Sequence, residues 1–269
     1  MVPTLLAFSR QYGSAPSIPV DVSEIAHKED TVASLRARLR ETERQAAARQ
    51  RQLERYAADL REIFKQERVG AQELRRSYVA TVRALSNAVE ARDAYTGKHA
   101  ERVAAYGLVL ARAAGLEMAD EPQIEFGFLL HDVGKVGVPD AILFKSSALT
   151  PEEYALVVRH PVIGWEILRD VDFLGEGKFV VRHHHERWDG IGYPDRLRGE
   201  EIPLAARVFA VADALDALTT HRPYRPASTF AEARREIRGG AGSHFDPAIV
   251  EVYEQIGDET FERLRSGLS

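Results

Sequence analysis

Between Ser23 and Phe64 the apolar positions recur in alternating steps of four and three, at Leu35, Leu39, Thr42, Ala46, Arg49, Leu53, Tyr56, Leu60 and Ile63. A period of about 3.5 residues is the seam of a two-stranded coiled coil. The segment contains no proline or glycine, and charged residues fill its other faces. Thr42, Ala46 and Arg49 are weak seam residues. A polar helix this long is not stable alone in water, so the pattern predicts a partner, most simply a parallel homodimer through residues 23–75. The alternative is a lone helix folded back onto the rest of the chain. Past Ile63 the register slips, and Ala71, Leu74, Tyr78, Leu85 and Val89 follow a period nearer 3.6. This stretch is expected to carry the helix into a globular part. Residues 1–22, with Pro3, Gly13, Pro16 and Pro19, read as a flexible leader.

From Arg76 onward one helical pattern follows another, over roughly 76–93, 97–114, 121–131, 151–169, 176–186, 203–220, 228–238 and 246–256. Pro122 suits a first turn, and Thr150-Pro151-Glu152-Glu153 reads as an N-cap, a proline and an acidic first turn. Gly115 and Gly239-Gly240 read as helix stops. Strand-like alternation is nearly absent. The expectation is an all-α fold, with a flexible leader over 1–22, a coiled-coil helix over 23–75 and a helical domain over 76–269.

A chain of 269 residues with 45% hydrophobic content can bury a core beside such an appendage. Its net charge of -5 argues against nucleic acid as a partner, so any anion must be drawn by a local basic patch. The absence of cysteine excludes disulfides, thiolate chemistry and zinc–cysteine sites and fits a reducing compartment. No apolar stretch approaches a membrane span or a signal-peptide core, so a soluble, cytoplasmic protein is expected.

Imidazoles and carboxylates concentrate in two places. His131-Asp132 ends the apolar run Ile124–Leu130, just before a glycine break at Gly134. Such a pair can supply one nitrogen and one oxygen ligand, but taken alone it is better explained by a dipole-matched histidine with a capping aspartate. The triple histidine His183-His184-His185 sharpens the choice. Successive helical residues point about 100° apart, so all three cannot face one ion, but two can flank a site at a helix end. His183 is then a solvated or supporting residue. Asp213 lies in an apolar helix, where a carboxylate needs a positive partner. Asp216, three residues on, shares its face and suits a structural carboxylate that orients a neighbour. His99 and His160 are each unremarkable alone. Oxygen and nitrogen donors without sulfur suit a hard-to-borderline divalent metal such as iron or manganese. Arg222, Arg225 and Lys135 point to an anionic substrate, most simply a phosphate.

These pieces, in this order, resemble the HD-GYP family of bacterial phosphodiesterases. The strings that carry the resemblance are RDAYTGKH (92–99), HDVGK (131–135), HP (160–161), HHERWDGIGYP (184–194), ARVFAVADALDAL (206–218), RPYR (222–225) and FDP (245–247). The resemblance implies an all-helical domain with a central cluster of two divalent metal ions, iron or manganese. It implies hydrolysis of cyclic di-GMP to linear pGpG and, in some members, on to GMP. Carried over residue by residue, the metal ligands are His99, His131, Asp132, His160, His184, His185 and Asp213. Asp132 bridges the two metals, one held by His160, His184 and His185, the other by His99, His131 and Asp213. Lys135 sits by the scissile phosphate, and Arg222 and Arg225 grip phosphate oxygens. Gly192-Tyr193-Pro194 forms a recognition tip, on which a diguanylate cyclase partner could dock. Some members place a glutamate for a third metal where this chain has Tyr95, with Glu90 a distant substitute, so a two-metal site is expected. Two other readings stand beside this one. The first is a phosphohydrolase of the wider HD superfamily acting on another nucleotide. The second is a non-catalytic cyclic di-GMP sensor or scaffold, against which the complete ligand set argues.

Overall fold

The chain carries no proline between Val20 and Pro122, and most of that stretch folds as one helix, α1 (Val22–Glu90). The computed structural model describes residues 22–92, 98–116, 121–145, 147–221 and 226–268. It divides into two units at Ala71–Gln72. In the first unit the seam residues Leu35, Leu39, Leu53, Tyr56, Leu60 and Ile63 are all more than half exposed.

In the second unit α1 is followed by α2 (His99–Ala113), α3 (Pro122–Leu129), the short α4 (Asp140–Leu143) and α5 (Pro151–Val157). Then come α6 (His160–Leu168), α7 (Gly177–His183) and α8 (Leu204–Thr219). The unit closes with α9 (Phe230–Gly239), α10 (Pro247–Gln255) and α11 (Asp258–Gly267). Single 3-10 turns occupy Val133–Gly137, Asp172–Leu174 and Gly199–Glu201. Among the described residues there is one isolated bridge, Ala241 to Phe245, and no strand. The fold is all-α.

The centre of this unit is the pair α2 and α8. Val103, Tyr106 and Leu110 on α2 and Val208, Phe209, Val211 and Leu215 on α8 are wholly buried. Burial of that apolar surface is the main stabilising force. α3 and α7 pack together beside it. The last turns of α1 join the same core through Val82 and Val89. There the buried Ser86 hydroxyl donates to the Leu129 carbonyl at 2.8 Å, and Tyr78 stacks on Phe173 with ring centres 4.8 Å apart. Capping boxes at Thr150 and Thr229 fix the starts of α5 and α9.

The helix expected over 151–169 is two helices, α5 and α6. The cause is Pro161, which has no N–H to donate to the Val157 carbonyl four residues back, so the helix breaks there. The 121–131 and 176–186 helices end early, at Leu129 and His183. α11 has no counterpart in the expected pattern. Its sequence is polar, with Phe261 its only buried residue, and one buried position makes no readable stripe.

One close approach fixes the geometry near the histidines. The Val133–Gly137 turn lies against α6, and a Cβ on Gly134 would fall 1.8 Å from the His160 carbonyl oxygen. Only glycine permits this contact.

Candidate metal centre

Three of the histidines sit at or just past a helix end, where the last four carbonyls lack helical partners. His131 follows α3 and donates Nδ1–H to the Phe128 carbonyl at 2.8 Å. His160 donates Nδ1–H at 2.8 Å to Val157, the carbonyl that Pro161 leaves vacant. His184 follows α7, and its Nδ1 lies 3.0 Å from the Val181 carbonyl. In each ring the carbonyl sets the tautomer and leaves the Nε2 lone pair free. Three helix C-termini, each the negative end of its dipole, therefore meet at one place.

Asp132 lies at the focus. Its Oδ2 is 3.1 Å from His131 Nε2 and 2.8 Å from Lys135 Nζ. Its Oδ1 is 3.3 Å from His160 Nε2 and 3.9 Å from His184 Nε2. Burial alone would raise its pKa, but Lys135 and His131 outweigh burial and hold the carboxyl well below its ordinary range. The two Nε2 atoms of His160 and His184 are 3.1 Å apart. With both Nδ1 protons committed to carbonyls, these are two lone pairs in contact, an arrangement that suits a bound cation. Burial and the neighbouring histidines push His184 well below its usual pKa, and burial pushes His185 down to about 3.

Two donor sets result, Asp132 with His160, His184 and His185, and Asp132 with His99 and His131. Within each, one ligand atom per residue lies within 4.8 Å of every other. Asp132 belongs to both, which is the geometry of a bridging carboxylate. The donors are nitrogen and oxygen, so the residues fit two divalent cations.

His99 opens α2 and is anchored differently. Its Nδ1 is 2.7 Å from the buried Asp216 carboxylate, which also receives Arg102 Nε at 2.6 Å. Its Nε2 is 3.5 Å from Asp213 Oδ1. Asp213 is thus beside this half, although outside the tight donor sets. Burial lowers the His99 pKa, but the Asp216 hydrogen bond and the charges of Asp213, Asp216 and Asp132 overcome it, and the net shift is upward. Asp216 holds the orienting position expected of it.

Glu90, expected to be at best a distant substitute for a glutamate at the position of Tyr95, lies close to the cluster. It lines a small cavity with His99, His131, Asp132 and Lys135, and its carboxylate accepts the Ala100 N–H at 2.5 Å. Burial raises its pKa. Arg222 and Arg225, and Tyr95, lie outside the described residues.

His183 faces away from the cluster. Its Nδ1 is 3.5 Å from Asp195, as the angular spacing of the triplet requires. Glu186, quoted in the motif but given no role, proves to be an anchor. Its buried carboxylate accepts the N–H groups of Asp195 at 2.7 Å, Arg196 at 3.1 Å and Leu197 at 3.1 Å. This pins the Gly190–Leu197 loop beside the histidines. Gly192 makes the seat possible, since a Cβ there would be 2.4 Å from the Arg187 nitrogen. Tyr193 then donates its backbone N–H to the His185 carbonyl at 3.2 Å, and its ring lies 4.8 Å from the His185 ring. These are contacts to backbone N–H groups, which the order of residue types does not mark.

A family model described as "HD domain" matches residues 83–249. Among curated proteins, the chain is 40% identical over 198 residues to the "3'3'-cGAMP-specific phosphodiesterase 2" of Vibrio cholerae, covering 73% of this chain and 38% of that protein. It is 40% identical to a "Cyclic di-GMP phosphodiesterase" of Thermotoga maritima, covering 65% of this chain and 48% of that protein. It is 41% identical to the "Cyclic di-GMP phosphodiesterase response regulator RpfG" of Xanthomonas campestris, covering 64% and 46%. The chain thus spans less than half the length of these relatives. A solved cyclic GMP-AMP phosphodiesterase from Vibrio cholerae has the same fold, with TM-score 0.50 at 20% identity over 68% of this chain and 53% of that one.

Proposed function

The chain belongs to the HD-domain family, and from that premise we propose that it is a metal-dependent phosphodiesterase that opens cyclic di-GMP to linear pGpG in bacterial second-messenger signalling. The observation that carries this reading is the contact of two imidazole lone pairs across from one ionised, shared carboxylate. Two divalent cations, iron or manganese, would be held by His160, His184, His185 and Asp132, and by His99, His131, Asp213 and Asp132. When bound, such ions lower the pKa of water and screen charge on phosphoryl oxygens.

The chain's own groups do the rest. Asp132 stays deprotonated and so remains acceptor-only. His184 and His185 stay neutral and keep their lone pairs at neutral pH. Lys135, 2.8 Å from Asp132, places a positive charge where a phosphoryl oxygen would gain negative charge. Arg222 and Arg225 are proposed to hold the remaining phosphate oxygens. In-line displacement needs the attacking and leaving oxygens on opposite sides of phosphorus, and Lys135, Arg222 and Arg225 would neutralise the equatorial oxygens between them.

The 40% identity to a protein named a 3'3'-cGAMP-specific phosphodiesterase favours a second substrate, another cyclic dinucleotide at the same centre. Residues 23–75 are proposed as a parallel homodimer stalk and 76–269 as the catalytic domain. Gly192-Tyr193-Pro194 is proposed to present a surface to a diguanylate cyclase. Among the described residues no helix is long and apolar enough to cross a membrane, which fits the proposed cytoplasmic site of action.

The test is elemental analysis of protein purified without oxygen, coupled to product chromatography, for the native chain and for Asp132→Ala and His184→Ala. Both variants are expected to lose bound metal and hydrolysis together. Metal-dependent hydrolysis surviving in either variant would remove this site from consideration.

A further inference from the structure

Beside the cation cage lies an open cleft of about 490 Å³, lined by Tyr154, Val158, Ile191, Tyr193 and Arg196. It meets the cage at Tyr193, whose ring lies 4.8 Å from the ring of His185. Its walls are mostly aromatic or branched aliphatic, and its charged member is one guanidinium. Ile191 is 76% exposed at its rim.

Arg196 is anomalous in its backbone. Its φ is +59°, a left-handed conformation that glycine adopts freely and that a side chain resists. The geometry is imposed from below, since the successive N–H groups of Asp195, Arg196 and Leu197 all converge on Glu186. That requirement concerns the backbone alone, and glycine would meet it without strain. Side chains at strained backbone positions cluster at functional sites. Three nearby arginines are committed, Arg182 to Asp195, Arg187 to Asp189 and Arg207 to Asp246. Among the described residues no carboxylate pairs with Arg196.

We propose that Arg196, with Tyr154 and Tyr193, forms a nucleobase pocket that selects guanine. The inference rests on reading the adjacent cage as a cyclic-dinucleotide phosphodiesterase. Tyrosine rings supply faces on which a flat base stacks. The guanidinium presents two parallel N–H donors, which match the O6 and N7 acceptors of guanine. Adenine offers N7 beside an amino donor, so one of the two hydrogen bonds becomes a clash. Cyclic di-GMP and 3'3'-cGAMP each carry a guanine for this pocket, and cyclic di-AMP carries none.

The experiment compares the full chain with Arg196→Gly, Arg196→Lys and Tyr154→Ala. GMP and AMP binding is measured by calorimetry, hydrolysis is measured on the three cyclic dinucleotides, and melting temperature is recorded for each protein. The native chain is expected to prefer GMP, and cyclic di-GMP and 3'3'-cGAMP over cyclic di-AMP. Arg196→Gly is expected to reduce that preference at least about tenfold, as loss of a bidentate base contact does. It should do so mainly in KM, while melting at or above the native temperature because the backbone strain is gone. Arg196→Lys keeps the charge but not the paired donors and should also lose the preference. Tyr154→Ala should weaken both nucleotides alike.

Equal binding of GMP and AMP by the native chain overturns the pocket. So does an undiminished preference in Arg196→Gly, or a lowered melting temperature in that variant, which would mark a structural role. The two proposals fail separately. A chain that hydrolyses no cyclic dinucleotide yet shows an Arg196-dependent preference for GMP supports the pocket and removes the phosphodiesterase reading. Hydrolysis of cyclic di-GMP with a preference indifferent to Arg196 removes the pocket alone.

Discussion

Asp216 reaches no proposed cation, yet it decides where His99 points, since the imidazole Nδ1–H and the Arg102 guanidinium both end on its carboxylate. Asp216→Asn is expected to weaken metal uptake by about 10–100-fold, the usual effect of losing a ligand's orienting partner. It should also cost on the order of 3–5 kcal/mol, because a buried ion pair with Arg102 is broken. Equilibrium dialysis against manganese and urea unfolding separate the two effects. The buried imidazoles make a second prediction at this scale. His184 and His185 have folded pKa values below the unfolded value of about 6.5. Below that pH the unfolded chain binds protons that the folded chain refuses, so stability falls as pH drops through the window between about 6.5 and 3. His99 is raised and acts oppositely, its contribution lost as pH rises through its folded value. His183 and His244 are depressed as well, so four lowered imidazoles oppose the raised His99, and metal-stripped protein is expected to have a lower urea midpoint at pH 5 than at pH 7. A His185→Phe variant should flatten that slope. Much at this scale was legible, because unlike ligand types in a fixed order are hard to arrange by chance. Glu186 went unassigned and Glu90 looked distant, since both act through backbone contacts that no spacing encodes.

At the scale of elements, the cage depends on where helices stop. α3, α5 and α7 end so that unused carbonyls hold three imidazoles. The sequence reading carried two of these helices slightly too far and ran α5 into α6. Helix periodicity reports which face is apolar, and it is silent about the last turn. The exception was available in Pro161, whose missing N–H both divides α5 from α6 and frees the carbonyl that His160 takes. The approach of the Val133–Gly137 turn to α6 is likewise invisible in a hydrophobic pattern. Gly134→Ala tests it. A Cβ placed 1.8 Å from the His160 carbonyl oxygen forces the two elements apart, and overpacking of this kind costs about 1–3 kcal/mol or more. A lowered urea midpoint, together with reduced metal content, is the expected result. Unchanged values for both would show that the turn relaxes freely.

For the whole molecule, the exposed seam over Leu35–Ile63 is a large apolar stripe that only another surface can cover. The full chain is expected to run as a dimer in light scattering, and Leu53→Lys with Leu60→Lys to convert it to monomer. A native monomer would leave the stripe without the proposed partner. The heptad spacing was legible from residue 35 onward, but the identity of the partner was not, because one chain records its own side of an interface. Inside the globular unit the opposite holds. Gly134 rides directly on the backbone of His160, so the two groups of donors that share Asp132 are joined through one close-packed contact. Any cations held there would be spaced by how the Val133–Gly137 turn seats on α6, so a change in that single contact would be felt by both groups of donors at once.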